Sequence, residues 1–325
     1  MAQLRSIITG VGHYLPTRVV PNCEFEDFLD TTDEWITTRT GIRTRHFAAK
    51  GETASDMAIA AAREALQDSG TDANDIDGIV LATSTPDNTF PSTATAVQAG
   101  LGISGGFAFD VQAVCAGFIY ALVNANALLT AGEARRILVI GTETFSRILD
   151  MTDRGTCILF GDGAGAIVLE AVNSDGNPNE RGILASKIRS NGKYRDLLYV
   201  DGGVSTTQTA GHLRMNGREV FRHAVDKLTG AATEALGDLG LTPQDVDVVI
   251  PHQANQRIIA ATTKKLGISD KRVVTTVDRH GNTSAASIPL AFHAAKSEGM
   301  VKEGDIVLTK AIGGGLTWGA VVLRW

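Results

Sequence analysis

AAREALQDSGTDANDID occupies residues 61–77 and AATEALGDLGLTPQDVD occupies residues 231–247, and the two align without a gap. In both copies Ala and Leu recur at helical spacing and a glycine follows as a C-cap. A short polar link comes next, and an apolar β-branched run then opens, GIVLA at 78–82 and VVI at 248–250. Each copy reads as helix, turn and buried strand. The likeness resumes with LGIS at 101–104 and 266–269, and again with GAIVLE from Gly165 beside GAVVLRW from Gly319. Two homologous halves are the simplest account of the chain.

Outward from that repeat, strand-like runs lie at 7–12, 79–82, 107–111, 137–141 and 166–170, then at 183–188, 246–250, 273–276, 306–310 and 320–324. These runs carry little polar alternation, which implies sheets covered on both faces by helices, an α/β layering. The polar stretch NSDGNPNE at 173–180 has the composition of a loop and sets the boundary between halves 1–174 and 175–325.

With 325 residues, 43% hydrophobic and 20% charged, the chain can bury a large core, which excludes disorder. A net charge of -6 would repel a phosphate backbone, so nucleic acid is not expected as a partner. The richest apolar runs, 137–140 and 164–169, stop far short of the about 20 residues a membrane span needs. Cys23, Cys115 and Cys157 are too few and too scattered for a disulfide framework or a zinc cluster, and point to a reducing compartment. MAQLRSII at 1–8 enters a strand-like run at once, without the pattern of a signal peptide, so a cytoplasmic location is expected. GVG at 10–12 and GDGAGA at 161–166 lack nucleotide-loop spacing and read as tight turns, while GGG at 313–315 gives close backbone approach.

Three residues could carry chemistry. Cys115, in FDVQAVCAGFIYAL (109–122), follows one strand-like run and opens a helical pattern. A helix amino terminus favours thiolate, although a cysteine among Ala and Val is as readily inert packing. His252, in VVIPHQANQRII (248–259), stands where Pro251 ends a buried strand, and Gln253 and Asn255 open the next helix. Asn282 lies in DRHGNTSAAS (278–287), where Gly281 permits an unusual backbone; the neighbouring His280 reads as structural. All three lie just past strand carboxyl ends, where parallel α/β folds gather their sites. Thiol, imidazole and carboxamide together suit thioester chemistry.

The chain resembles the β-ketoacyl-acyl carrier protein synthase III family, within the thiolase superfamily. The likeness rests on DEWITTRTGIRTRH (33–46), CAGF (115–118), TDRGT (152–156), FGDGAGA (160–166), PHQAN (251–255), DRHGNTSAAS (278–287) and GGGLTWG (313–319). It implies a thiolase-like, five-layered αβαβα fold and a homodimer. It implies that Cys115 is the acyl-accepting nucleophile, and that His252 and Asn282 bind the malonyl thioester and promote decarboxylation. The backbone N–H groups of Cys115 and Gly314 would form the oxyanion hole. Trp35 and Arg154 match residues that sandwich the coenzyme A adenine, Arg39 one near its phosphates, and Asn255, Gly217 and Phe221 residues along the pantetheine arm.

Phe145, Phe160 and Ile312 match positions of the acyl pocket, and Phe90 a loop residue that reaches the partner subunit's tunnel. Ile312 stands where close relatives often carry Phe, and Phe145 where an aliphatic residue is common. The partners implied are acyl-coenzyme A and malonyl-acyl carrier protein, docked near Arg222, Arg257, Lys264 and Lys265; no metal or redox cofactor is needed. The alternatives are a related condensing enzyme of a secondary-metabolite pathway with a different acyl primer and, from residue order, a cysteine hydrolase with Gln112 as an oxyanion donor. A degradative thiolase would need a second cysteine in GGGLTW, which has none. A silent carrier-protein-binding scaffold would have no use for the three intact side chains. Cys157 is expected as buried filler on a strand, and Cys23 has no assigned role.

Overall fold

The computed structural model describes residues 3–325. In chain order the elements of the first half are β1 (Gln3–Tyr14), β2 (Arg18–Pro21), α1 (Asp33–Thr40), β3 (Thr44–Phe47), α2 (Ala54–Ser69), β4 (Gly78–Ala82), α3 (Thr93–Leu101), β5 (Phe107–Val111), α4 (Gly117–Thr130), β6 (Arg136–Thr144) and β7 (Asp162–Ser174). There follow β8 (Gly182–Ser190), β9 (Leu198–Val200), β10 (Leu213–Met215), α5 (Gly217–Gly237), β11 (Val248–Pro251), α6 (Gln256–Leu266), α7 (Val277–His280), α8 (Ser287–Ser297), β12 (Ile306–Gly313) and β13 (Thr317–Arg324).

The sequence repeat is a structural one. Thr53 and Asp56 form a capping box that starts α2, and Asn216 caps α5. Past each helix, Gly70 (φ +66) and Gly240 (φ +68) turn the chain through the left-handed region that favours glycine. Single 3-10 turns at Ala73–Asp75 and Pro243–Asp245 then lead into β4 and β11. The first sheet has the order β1-β7-β6-β4-β5, and the second the order β11-β12-β13-β8, which matches the first without its last member. The place of that missing strand is held by one parallel bridge between Val249 and Val273. The run 273–276 is therefore not a strand. Its backbone is claimed elsewhere, because the Gln253 side-chain oxygen accepts from the N–H groups of Thr276 and Val277.

Alternate residues of each strand feed different cores, which makes five layers. Ile79 and Leu81 pack with α2 and α3, whereas Val80 and Ala82 face inward with Ile137 and Val139. That inner layer consists of α4 and α8, and it also takes Ile250, Val307 and Val321 from the second sheet. Val249, Leu308 and Val322 face the opposite way, onto α5 and α6. The αβαβα expectation holds.

Several details differ from the sequence reading. GVG and GDGAGA lie along β1 and β7 instead of forming turns between strands. A Cβ on Gly10 or Gly12 would come 2.2 Å from the carbonyl oxygen of Ala65 or Ala61, so these glycines let α2 lie close on the sheet. Pro251 belongs to β11, opposite Lys310, and Val246 precedes the strand. Cys157 is buried in a turn, outside any strand, and Cys23 is exposed. The short antiparallel pairs β2–β3 and β9–β10 have no clear sequence period. Met1 and Ala2, part of the amino-terminal reading, lie outside the described residues. Among the described residues no helix is long and apolar enough to cross a membrane.

Candidate active site

β5, β4 and β6 are parallel neighbours, and each runs into a polar segment at its carboxyl end. After β5 comes a single 3-10 turn, Val114–Ala116, which leads directly into α4 and carries Cys115. Val114 adopts φ +50, a left-handed value that is an outlier for a β-branched residue and is the kind of strain found at functional sites. The glycine run after β12 presses on this turn. A Cβ on Gly313 would lie 2.7 Å from the Cys115 nitrogen, and one on Gly314 would lie 3.4 Å from Val114 Cγ2. The sequence thus foretold the close approach, and its object is the cysteine turn.

His252 follows β11 and donates its backbone N–H to the Lys310 carbonyl at 2.9 Å. Asn282 is bridged to Phe160, receiving Gly161 N–H at 3.0 Å and donating to Leu159 O at 2.9 Å. Gly281 before it sits at φ +66, ψ -160, a conformation open essentially to glycine alone.

The segment 282–287 ties the three together. Asn282 Oδ1 accepts the Ser284 N–H at 2.9 Å, which leaves its NH2 free to donate. The turn that Ser284 opens packs on the cysteine turn, where a Cβ on Gly117 would meet Ala285 Cβ at 3.4 Å. Ser287 Oγ lies 2.6 Å from His252 Nδ1 and accepts from the Gln253 N–H at 3.3 Å. A serine proton donated to Nδ1 places the imidazole hydrogen on Nε2. Two neutral N–H donors result, one from His252 and one from Asn282.

Both titratable members are held uncharged. Burial lowers the His252 imidazole to about 3. Burial pushes the Cys115 thiol up to about 12, against the Ser284 hydroxyl and with help from the Glu143 carboxylate. This corrects the expectation that the α4 dipole leaves a thiolate at rest. A helix end contributes at most about 2 kcal/mol, near 1.5 pH units, and desolvation outweighs it.

The other candidates fall in separate groups. Trp35 on α1 carries the guanidinium groups of Arg39 at 4.5 Å and Arg154 at 4.6 Å from its ring centroid. Gly217 opens α5, and Phe221 one turn on meets Arg257 of α6 at 5.9 Å. Asn255 caps α6 through Oδ1 to the Ile258 N–H at 3.0 Å, which leaves its NH2 available. Arg222 is paired with Glu219 at 2.5 Å and Lys265 with Asp226 at 2.6 Å. Arg257 and Lys264 have no such acid partner among the described residues.

Phe145 and Phe160 stack at 4.9 Å. Ile312 is not with them: even-numbered positions of β12 face the outer helices, and it packs with Ala224, Leu228, Ile258 and Leu316. Phe90 is 83% exposed. A cavity of about 880 Å³, lined by Val114, Phe145, Thr85 and Tyr199 among others, adjoins the cysteine turn. Sequence reasoning passed over Glu143, Ser284 and Ser287. The two serines stand in DRHGNTSAAS, where nothing in the sequence says what they meet, and Glu143 lies just past an apolar run.

Family models described as 3-oxoacyl-[acyl-carrier-protein] synthase III match residues 109–192, and its C-terminal part residues 236–325. A protein of Rhodobacter capsulatus named beta-ketoacyl-[acyl-carrier-protein] synthase III is 64% identical over 322 residues, 99% of both chains. The chain belongs to the β-ketoacyl-acyl carrier protein synthase III family. A namesake in Ruegeria pomeroyi is 65% identical over 321 residues, again 99% of each chain. The crystal structure of the Aquifex aeolicus synthase III superposes with a TM-score of 0.92 at 47% identity, covering 98% of this chain and 100% of that one. As a synthase III the protein is an acyltransferase, a condensing enzyme that initiates fatty acid synthesis.

Proposed function

We propose that this synthase III joins an acyl group, taken from acyl-coenzyme A, to malonyl-acyl carrier protein by decarboxylative Claisen condensation, with acetyl as its primer. Cys115 attacks the acyl thioester, free coenzyme A leaves, and the acyl-cysteine waits for the second substrate. The backbone N–H groups of Cys115 and Gly314 stabilise the tetrahedral oxyanion. Malonyl-acyl carrier protein then loses carbon dioxide, the enolate oxygen taking hydrogen bonds from His252 Nε2–H and the Asn282 NH2. The enolate carbon attacks the acyl-cysteine, and 3-oxoacyl-acyl carrier protein departs. Departure of carbon dioxide drives the step, so the chemistry calls for no metal or redox group.

The observation that carries this reading is the junction at 282–287, which packs on the cysteine turn through Ala285, meets His252 through Ser287 and holds Asn282 as a donor. The Trp35, Arg39 and Arg154 cluster supports a role in coenzyme A binding, where a guanidinium yields its place on the ring to the adenine. Asn255, Gly217 and Phe221 would flank the pantetheine arm, and Phe145 with Phe160 the acyl group. Arg257 and Lys264, free of acid partners, are the better placed of the four carrier-protein cations. We read 1–174 and 175–325 as the duplicated halves, and the enzyme as a homodimer.

Labelled acetyl-coenzyme A should mark the wild type at Cys115 and leave Cys115→Ala unmarked; label on that variant would mean another nucleophile. His252→Ala and Asn282→Ala should keep acyl transfer better than malonyl decarboxylation, and equal loss of both steps would overturn the division of labour.

A further inference from the structure

Glu143 is fully buried at the end of β6 and has no basic partner among the described residues. Its carboxylate is met by donors alone. It receives the Ser84 N–H at 3.0 Å, the Thr85 hydroxyl at 2.7 Å, the Thr83 hydroxyl at 3.4 Å and the Ser284 hydroxyl at 3.1 Å. Residues 83–85 follow β4, Cys115 follows β5, and Glu143 closes β6, so three adjacent parallel strands deliver the carboxylate behind the thiol. Ser284 donates to Glu143 Oε1 at 3.1 Å from a strained backbone at φ +49, and the turn it opens packs on the cysteine turn, where a Cβ on Gly117 would meet Ala285 Cβ at 3.4 Å.

An unpaired buried anion costs several kcal/mol, and an amide would serve a merely structural role without that cost. The reaction supplies a use for the charge. The Cys115 thiol must lose a proton on attack, and the burial of His252 resists the imidazolium that would form if it took that proton. We infer that Glu143, acting through the Ser284 hydroxyl, takes the Cys115 proton during acyl transfer. This rests on the reading of Cys115 as nucleophile.

The step balances. The S–C bond to the acyl carbon forms as the S–H bond breaks; that proton moves to Ser284 Oγ, and the serine's own proton moves to Glu143 Oε1. When the tetrahedral intermediate collapses, the bond to the coenzyme A sulfur breaks. The departing thiolate regains the proton along the same path. Burial, opposed by the donors from Thr85, Ser84, Ser284 and Ala285, lifts the Glu143 carboxyl to about 7, so it can both accept and return a proton.

The test measures single-turnover acylation by acetyl-coenzyme A, and alkylation of Cys115 by iodoacetamide, across pH 5–9. In the wild type both rates should rise through an inflection near 7. In Glu143→Gln and in Ser284→Ala the inflection should vanish and acylation should slow about 100-fold, as loss of a general base does. The double variant should be no slower than either single one. Circular dichroism verifies folding, and if Glu143→Gln fails to fold, Ser284→Ala carries the test alone. A wild-type inflection in either folded variant, with label still confined to Cys115, overturns the relay. Label on Cys115→Ala would instead overturn the nucleophile beneath it.

Discussion

Cys115 and His252 are both uncharged at rest, and this decides how each is used. A neutral imidazole with hydrogen on Nε2 stabilises an enolate oxygen without protonating it outright, and Ser287 is what holds that tautomer. Ser287→Ala should therefore lower kcat for condensation about 10-fold, the worth of a hydrogen bond near 1.4 kcal/mol, and leave KM for acyl-coenzyme A unchanged. Ser287→Thr should recover part of the loss; steady-state kinetics with both substrates check it. Trp35 makes a different demand, since its face binds instead of reacting. Trp35→Ala should raise KM for acyl-coenzyme A several-fold, by the about 1 kcal/mol of a ring–cation or ring–base contact, with little change in kcat. The cysteine and histidine were legible because each follows a strand, and the asparagine, which follows α7 instead of the strand expected at 273–276, because of its neighbourhood DRHGNTSAAS. Glu143 was not, because its donors come from residues 83–85 and 284–285, which only folding brings near it.

Elements explain which parts of the rim are open to partners. On α6, Lys264 and Lys265 follow one another, yet Lys265 is spent on Asp226 of α5 while Lys264 and Arg257 have no acid partner among the described residues. Arg257→Glu should raise KM for malonyl-acyl carrier protein more than KM for acyl-coenzyme A, and added salt should narrow the difference. An unchanged KM ratio would remove α6 from the docking surface. β5 presents a second opening. It is the edge of its sheet and all five of its residues are half-buried, with Phe107 and Phe109 stacked at 6.0 Å along it. An uncovered edge of this kind invites strand pairing with a second copy, and Phe109→Glu should turn the expected homodimer into a monomer in sedimentation. The repeat at 61–77 and 231–247 made most of the element order readable, since helix, turn and strand recur at a fixed offset. The run at 273–276 misled because its β-branched residues suit a strand, whereas the Gln253 side chain takes the backbone donors a strand would need.

At the scale of the molecule, buried titratable groups set how stability answers to pH. His252 and His280 are each lowered by burial to about 3, from an ordinary value of 6.5. Between those values the unfolded chain binds a proton at each site and the folded one does not, so stability is present above pH 6.5 and is lost as pH falls toward 3. Each histidine contributes a slope of about 1.4 kcal/mol per pH unit. Glu143 acts in the opposite sense: raised to about 7 from 4.5, it binds its proton in the folded state first, so it adds stability as pH falls from 7 to 4.5. The sum over these three groups is a loss of about 1.4 kcal/mol per unit from pH 6.5 to 4.5, steepening to about 2.7 below 4.5, where Glu143 no longer compensates. Lys310, buried without a partner for Nζ and lowered to about 7 from 10.5, extends the trend upward, because stability should rise as pH climbs through that interval. Urea unfolding at closely spaced pH values would trace this curve. His280→Leu, which removes one histidine outside the proposed catalytic set, should lower the slope between pH 4.5 and 3 by about 1.4 kcal/mol per unit; an unaltered slope would mean that His280 is charged in the folded protein or neutral in both states.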